Sequence, residues 1–471
     1  MNTYSYIING VPKTSNTIID VKNPATGDLI GKYYVSSIED VEEAIATAKA
    51  QQKIWSKISQ EERDEYIMKI AEAISSNKTY LAEWITKEQG KPLNGPGSHF
   101  EIDACLGWTQ VPASLQLTDE IVFEDDTRKD VLKRLPIGVV AAITPWNWPL
   151  MIAIWQIIPS LKMGNTVVVK PSEYTTIASL ELFRIINEIL PAGVLNVVTG
   201  DGKIGAHLTA HQDISKIMFT GSIATGRRII EASTHNMARL TLECGGNDAG
   251  IVLPGTDMNQ IAEGLFWGSF LNMGQTCAAL KRLYVHEDDL ETTINALTAI
   301  TKNIKMGNGL EDDVFLGPIQ NQMQYDKVKS LLETTKANPK ASFIIPNEEI
   351  PSQGYFIPIT YITGVDNGDA IVNEEQFGPV LPIITYKTIE EAILKANELE
   401  VGLGASVWGT DENMLDAVAQ QIEAGTVWMN QHGAIHPFVP FGGIKQSGYG
   451  VEFGIEGLKA VTVPKIISYK K

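Results

Sequence analysis

The chain has 471 residues, 44% hydrophobic and 20% charged, with a formal net charge of -18. That length predicts roughly two to four domains, and the composition is that of a globular protein rather than a disordered one. The acidic balance argues against nucleic acid and membrane surfaces as partners, no run approaches the roughly 18 apolar residues of a membrane span, and the N-terminus lacks a signal-peptide layout.

The first sixth is expected to be helical. "SIEDVEEAIATAKAQQKIW" starts with Ser37 as a helix cap and Asp40 three residues on, and Ile38, Val41, Ala44, Ile45 and Ala48 recur at helical spacing. "SQEERDEYIMKIAEAIS" repeats the device with Ser59 and Glu62, and its apolar face is Tyr66, Ile67, Ile70, Ala71 and Ile74. Gly90 and Pro92 end the next helix. "EIVFEDDTRKDVLKRL" has two strand-like arms around Asp125-Asp126-Thr127. A lone hairpin is marginal in water, so this arm is expected to contact another subunit or lie on its own lobe.

From about residue 137, β-branched runs alternate with helical stretches: "IGVVAAIT", "NTVVVK", "VLNVV", "KIMFT" and "ARLTLE". After Glu243 the alternation resumes with "AGIVL", "RLYVH", "VLPIITY", "GASVW" and "GTVWM". Buried strands alternating with helices imply parallel sheets, and two doubly wound lobes in series are the economical reading.

Several turns between these elements could carry chemistry. "GDGKIG" (200–205) matches G-x-G-x-x-G, but the companion acid is missing and a glycine turn explains it equally well. In "VVVKPSE", Lys170 and Glu173 follow a strand end, where open α/β sheets bind ligands; an ordinary charged loop is the commoner case. Gly221 and Ser222 in "FTGSIATG" could admit a pyrophosphate to a helix start, or Ser222 could simply cap that helix. Glu243 in "LTLECGGND" precedes two glycines and could act as a general base through water. Cys277 in "NMGQTCAAL" lies between small residues, Gly274 and Ala278, that could clear space for a substrate; an inert buried thiol is the commoner role. The three cysteines (Cys105, Cys244, Cys277) are widely spaced and read as free thiols of a reducing compartment, hence a cytoplasmic protein. The pairs His207/His211 and His432/His436 lack a third ligand motif, so no metal is expected.

Taken in order, "PWNWP" (145–149), "VVKPSE" (168–173), "FTGS" (219–222), "LECGG" (242–246), "GQTC" (274–277), "EEQFGPV" (374–380) and "PFGGIKQSG" (440–448) make the chain resemble the aldehyde dehydrogenase superfamily. The resemblance covers nearly the whole chain. It implies an α/β fold of two doubly wound Rossmann-like lobes plus a small β oligomerisation arm. The boundaries expected are 1–117 and 138–245 for the NAD-binding domain, 246–445 for the catalytic domain, and 118–137 and 446–471 for the arm.

By the same resemblance, Cys277 is the nucleophile, Glu243 activates the hydrolytic water, and the Asn147 side chain with the Cys277 N–H stabilises the oxyanion. Trp146, Lys170, Ser172, Glu173, Gly221, Ser222, Glu375 and Phe377 match cofactor positions. A carboxylate at Glu173 favours NAD over NADP, without excluding NADP. Trp148, Met151, Ile152, Trp155 and His436 fall where the substrate tunnel is expected, and no arginine there awaits a second carboxylate. The expected substrate is a neutral aldehyde, apolar or aromatic, and the expected assembly a homodimer or homotetramer. Cys244 stands where leucine is usual and Asn247 where lysine is common, and His432 has no assigned role. The alternatives are a CoA-acylating or semialdehyde enzyme, and a non-catalytic binding or structural protein on the same fold.

Overall fold

A computed structural model describes residues 2–347 and 349–471. Two large sheets organise it, each with its own apolar core. The first sheet has eight strands. Its parallel centre runs Arg239–Cys244, Lys216–Gly221, Val139–Ile143, Thr166–Lys170 and Leu195–Val197 in spatial order. The chain enters at Val139–Ile143, builds outward on one side, then crosses over and builds on the other. Such a reversal opens a crevice at the strand C-termini on either side of the switch. Trp146 and Asn147 lie beyond the end of Val139–Ile143, and Ser222 follows Lys216–Gly221. Register then places Thr220 beside Glu243, so the segments "FTGS" and "LECGG" meet at the C-terminal ends of two neighbouring strands.

The helix Pro149–Lys162 is buried at every residue, which explains its lack of a polar face. Its Pro149 occupies the first helical position, where proline's missing N–H is no loss. The second sheet has seven strands, with Asp248–Val252 and Leu280–His286 at its centre and Val380–Tyr386 and Gly404–Trp408 flanking them in parallel. A third sheet pairs Thr462–Lys470 with Arg128–Pro136, which pairs with Glu120–Glu124. The Asp125 carboxylate accepts from the N–H groups of Thr127 and Arg128 and fixes that hairpin turn.

The N-terminus differs from the expectation. Residues 3–34 form five short strands before the first helix, Ile38–Trp55. Tyr6–Ile8 and Val11–Lys13 pair around Asn9-Gly10, both with positive φ, and extend the first sheet beyond Leu195–Val197. Asn-Gly is the residue pair that a tight hairpin turn favours, and it was the sequence signal for these strands. The capping box of Ser37 and Asp40 is present, and Ser59 Oγ accepts from Glu62 N. Ile38 lies outside the buried face, which Trp55 completes instead.

Candidate active site

Cys277 lies on a segment with unusual backbone geometry. The helix Met258–Phe270 runs into a turn, Leu271–Gly274, where Asn272, Met273 and Gly274 take φ of 51°, 60° and 72°. Left-handed conformations cost about 1–2 kcal/mol for a residue with a Cβ. A hydrogen-bond network offsets that cost. Asn272 accepts from Gln89 Nε2 at 3.1 Å and donates to Asn147 O at 2.9 Å. Gln275 donates to Asn272 O at 3.0 Å and accepts from Gln320 N at 2.9 Å. Trp148 Nε1 donates to Thr276 Oγ1 at 3.0 Å, and Lys281 Nζ to Cys277 O at 2.6 Å. Gly274 has a backbone reason of its own: a Cβ there would stand 2.4 Å from Gly378 O. The glycine therefore serves the turn, and clearance for substrate does not explain it.

Asn147 is clamped to the same segment. Its Nδ2 donates to Gln275 O at 2.9 Å, leaving a second amide hydrogen for a ligand. Its backbone oxygen accepts from Lys91 Nζ at 2.8 Å. Lys91 also pairs with Glu101 at 2.6 Å, both side chains fully buried, and sits 3.6 Å over the Trp148 ring. The other Glu101 oxygen accepts from Leu150 N and Met151 N and caps the helix Pro149–Lys162.

Cys277, Asn147, Glu243, Trp146, Gly221, Ser222, Glu375 and Phe377 all line one cleft of about 670 Å³. Burial pushes the Cys277 thiol up to about 12; Lys281 opposes the shift, while Glu243, Asp248 and Glu375 add to it. Glu243 is buried and, among the described residues, neither of its oxygens is hydrogen-bonded; burial followed by the charge of Glu452 holds its carboxyl well above the usual carboxylate range. Burial also raises Glu452, to about 7, with Lys216 pulling the other way. Cys244 lines the cleft too, and burial, Glu243 and Glu375 together raise its thiol to about 12.

A second cavity of about 1100 Å³ adjoins the first and shares Trp146, Gly221 and Ser222 with it. It holds Lys170, Ser172 and Glu173, and Gly202 and Gly205 of "GDGKIG" line its wall. Lys170 Nζ donates to the carbonyls of Pro171 and Gly200 and stands 3.7 Å from Glu173; burial lowers its pKa. Ser222 Oγ accepts from Thr225 N, so the capping role and the lining role coexist. At the other end, Glu375 pairs with Lys281 at 3.1 Å, and its Oε2 would lie 2.2 Å from a Cβ at Gly245. Phe377 (φ 49°) packs edge-on to Trp146 at 5.4 Å, with Gln324 donating to its carbonyl. These continuous cavities suit a dinucleotide: Thr144 Oγ1 is a buried hydroxyl without a partner in the second wall, and Glu173 keeps exposed carboxylate surface there.

The expected tunnel residues lie outside both cavities. Trp148 is buried under the thiol segment against Lys91, Met151 is buried in the helix, and His436 is exposed and stacked on Phe438 at 5.7 Å. Trp155 joins an aromatic cluster with Phe453 at 4.7 Å and with Trp108, itself 5.5 Å from Phe453. Sequence reading missed Lys91, Glu101, Lys281, Gln324 and Glu452. Only Lys91 sits beside a recognisable turn signal, the Gly90 that ends its helix.

Comparison with known proteins places this geometry. The profile of the Aldehyde dehydrogenase family matches residues 11–467. Phenylacetaldehyde dehydrogenase of Pseudomonas fluorescens is 36% identical over 471 residues, covering 97% of this chain and 93% of that protein. The chloroplastic betaine aldehyde dehydrogenase of Beta vulgaris is 36% identical over 455 residues, covering 94% and 91%. The structure of a Bacillus cereus aldehyde dehydrogenase in complex with NAD+ superposes with a TM-score of 0.95 at 31% identity, covering 99% of this chain and 96% of that one. Matched by the family profile over nearly its whole length and by relatives over nearly theirs, this chain belongs to the aldehyde dehydrogenase family.

Proposed function

We propose that the enzyme oxidises a neutral aldehyde to a carboxylic acid through a thioester on Cys277. The observation that carries this reading is the meeting of Cys277, Asn147, Glu243, Glu375 and Phe377 in one cleft. Cys277 Sγ adds to the aldehyde carbon as its proton departs. With the thiol held near 12, that proton leaves to water in the cleft, and the Lys281 charge eases the ionisation. The negative charge on the substrate oxygen is met by the free amide hydrogen of Asn147 and by the Cys277 N–H. Both donors are fixed beforehand, since Asn147 is tied to Gln275 and Lys91.

NAD supplies the two-electron acceptor that converts the hemithioacetal to the thioester. Glu375 and Phe377 would hold its nicotinamide riboside end, with Lys281 and Gln324 fixing them from behind. Lys170, Ser172 and Glu173 would hold the adenosine end, and the Glu173 carboxylate would disfavour a 2′-phosphate, making NADP the poorer cofactor. Glu243 then takes a proton from water, which attacks the thioester and frees the acid and the thiol.

We assign residues 1–117 and 138–245 to NAD binding, 246–445 to catalysis, and 118–137 with 446–471 to an arm that joins two copies of the chain. Ile121, Val122 and Phe123 lie exposed on the outer strand of that arm, an edge that a second copy would cover. Three free thiols support a reducing, cytoplasmic setting. Product analysis tests the reaction: carboxylic acid formed without CoA supports hydrolysis, whereas product appearing only with CoA would show acyl transfer. An enzyme that made no NADH from any aldehyde panel member would sink the reading, as would a Cys277→Ser variant oxidising at the wild-type rate.

A further inference from the structure

One buried cluster beside the thiol segment has no part in this chemistry. Asp248 begins the strand Asp248–Val252, and His432 lies in the loop after Thr426–Met429 that leads to His436 and Phe438. Both side chains are fully buried, and His432 Nε2 stands 3.6 Å from Asp248 Oδ2. Among the described residues, neither Asp248 oxygen nor His432 Nε2 has a hydrogen-bond partner. His432 Nδ1 lies 2.9 Å from Ser406 Oγ, which accepts from Trp408 Nε1 at 2.8 Å. A buried carboxylate with no donor persists only when a counter-charge faces it. The ring nitrogen facing Asp248 is the group placed to supply it.

Three glycines build a socket around this pair. A Cβ at Gly246 would stand 2.5 Å from Asp248 Oδ1, one at Gly404 2.4 Å from Oδ2, and one at Gly268 2.9 Å from His432 Cβ. None of the three has positive φ, so the space itself accounts for them. The socket also touches the reacting segment. Gly268 belongs to the helix that enters the Leu271–Gly274 turn, and the Gly246 Cβ position is 3.2 Å from Cys277 O. A Cβ at Gly433, next to His432, would stand 3.2 Å from Ala278 O.

Two of the other charges nearby are paired, and one is not. Arg282, which shares a small cavity with Asp248, donates to the neutral atoms Asn247 O, Ala396 O and Tyr284 Oη, so its charge also bears on Asp248. Glu423, in the same cavity wall, pairs with Lys445 at 2.6 Å. Lys281 pairs with Glu375. Asp248 opposes ionisation of Cys277 together with Glu243 and Glu375, and His432 Nε2 is the ring nitrogen that faces Asp248 Oδ2.

We propose that His432 and Asp248, facing each other in this socket, are a positioning pair that pins the substrate-mouth loop and tunes the field of Asp248 beneath the Cys277 segment. The inference rests on Cys277 being the nucleophile. It is tested on the full-length enzyme by the rate of iodoacetamide alkylation of Cys277 at a fixed pH of about 8, mapped by peptide mass spectrometry to separate Cys277 from Cys105 and Cys244. Asp248→Asn removes a repelling charge and should raise the rate; His432→Gln removes the ring that faces that carboxylate and should lower it. Each change should be about three- to tenfold, because a shift of about one pKa unit in the thiol alters the thiolate fraction about tenfold while basicity returns part of it. Opposite directions are the signature, since loosened packing would move both variants the same way. If either variant failed to fold by thermal melt, Ser406→Ala, which removes the partner of Nδ1, should slow alkylation as His432→Gln does. Equal rates in wild type and both variants, or shifts in one direction, would overturn the proposal. A wild-type enzyme that alkylates as described but oxidises no aldehyde would instead count against the proposed reaction.

Discussion

Replacing Lys91 with methionine isolates what holds the oxyanion donor in place. Lys91 Nζ serves Glu101 at 2.6 Å, Asn147 O at 2.8 Å and the Trp148 ring at 3.6 Å, all away from solvent. Methionine keeps most of the volume and removes the charge. Glu101 is then left buried and unpaired, apart from two backbone donors at Leu150 and Met151. Breaking one half of a buried pair typically costs about 3–5 kcal/mol, so Lys91→Met should lower unfolding free energy by that order in urea melts. Adding Glu101→Gln removes the orphaned charge while an amide oxygen still accepts from the helix start. The double variant should therefore recover a large part of the loss, on the order of 2 kcal/mol. Its stopped-flow kcat should stay low, because Asn147 O has lost one of its two donors. A single variant destabilised by less than about 1 kcal/mol would refute the reasoning, as would a double variant no more stable than the single.

Other expectations follow from the same geometry. Glu243 must be ionised to act as a base, and burial with Glu452 raises its pKa, so the rising limb of kcat should lie above the usual carboxylate range; Glu452→Gln should move that limb to lower pH in a pH–rate profile. Glu452 itself ionises at about 7 in the fold against 4.5 when exposed, so between those values the native state binds the extra proton and stability should fall as pH rises, a trend Glu452→Gln should weaken in thermal melts. Gly274→Ala meets both a φ of 72° and a carbonyl at 2.4 Å, and should cost about 2 kcal/mol or more with severe loss of turnover. Glu173→Gln should raise the NADP-to-NAD ratio of kcat/KM several-fold, and an unchanged ratio would remove that carboxylate from cofactor choice.

The parallel sheets were legible because fully buried strands read as short β-branched runs such as "TVVVK", all five residues of which are buried. The N-terminal strands were not, because Val11–Lys13 and Ile18–Lys22 are short, mostly exposed edge pieces without alternation. The turn Leu271–Gly274 gave one legible sign, Gly274; nothing in Asn272 or Met273 announces left-handed backbone, which packing against Gln89, Asn147 and Gln320 imposes. Glu243 and Cys277 were found through motif order alone. Glu452 and Asp248 bear on them through space, from segments distant in the chain or on the opposite side of a glycine turn, and no local pattern carries such proximity.

The covalent step can be observed directly in Glu243→Gln, where the base that clears the thioester is gone. Mixing this variant with NAD and an aromatic aldehyde should give a burst of one NADH per active site, followed by very slow turnover. Intact-mass and peptide mass spectrometry should then find a single acyl group on the peptide carrying Cys277. An NADH burst with the acyl group on Cys244, or steady turnover with no adduct, would contradict a thioester on Cys277 cleared by Glu243.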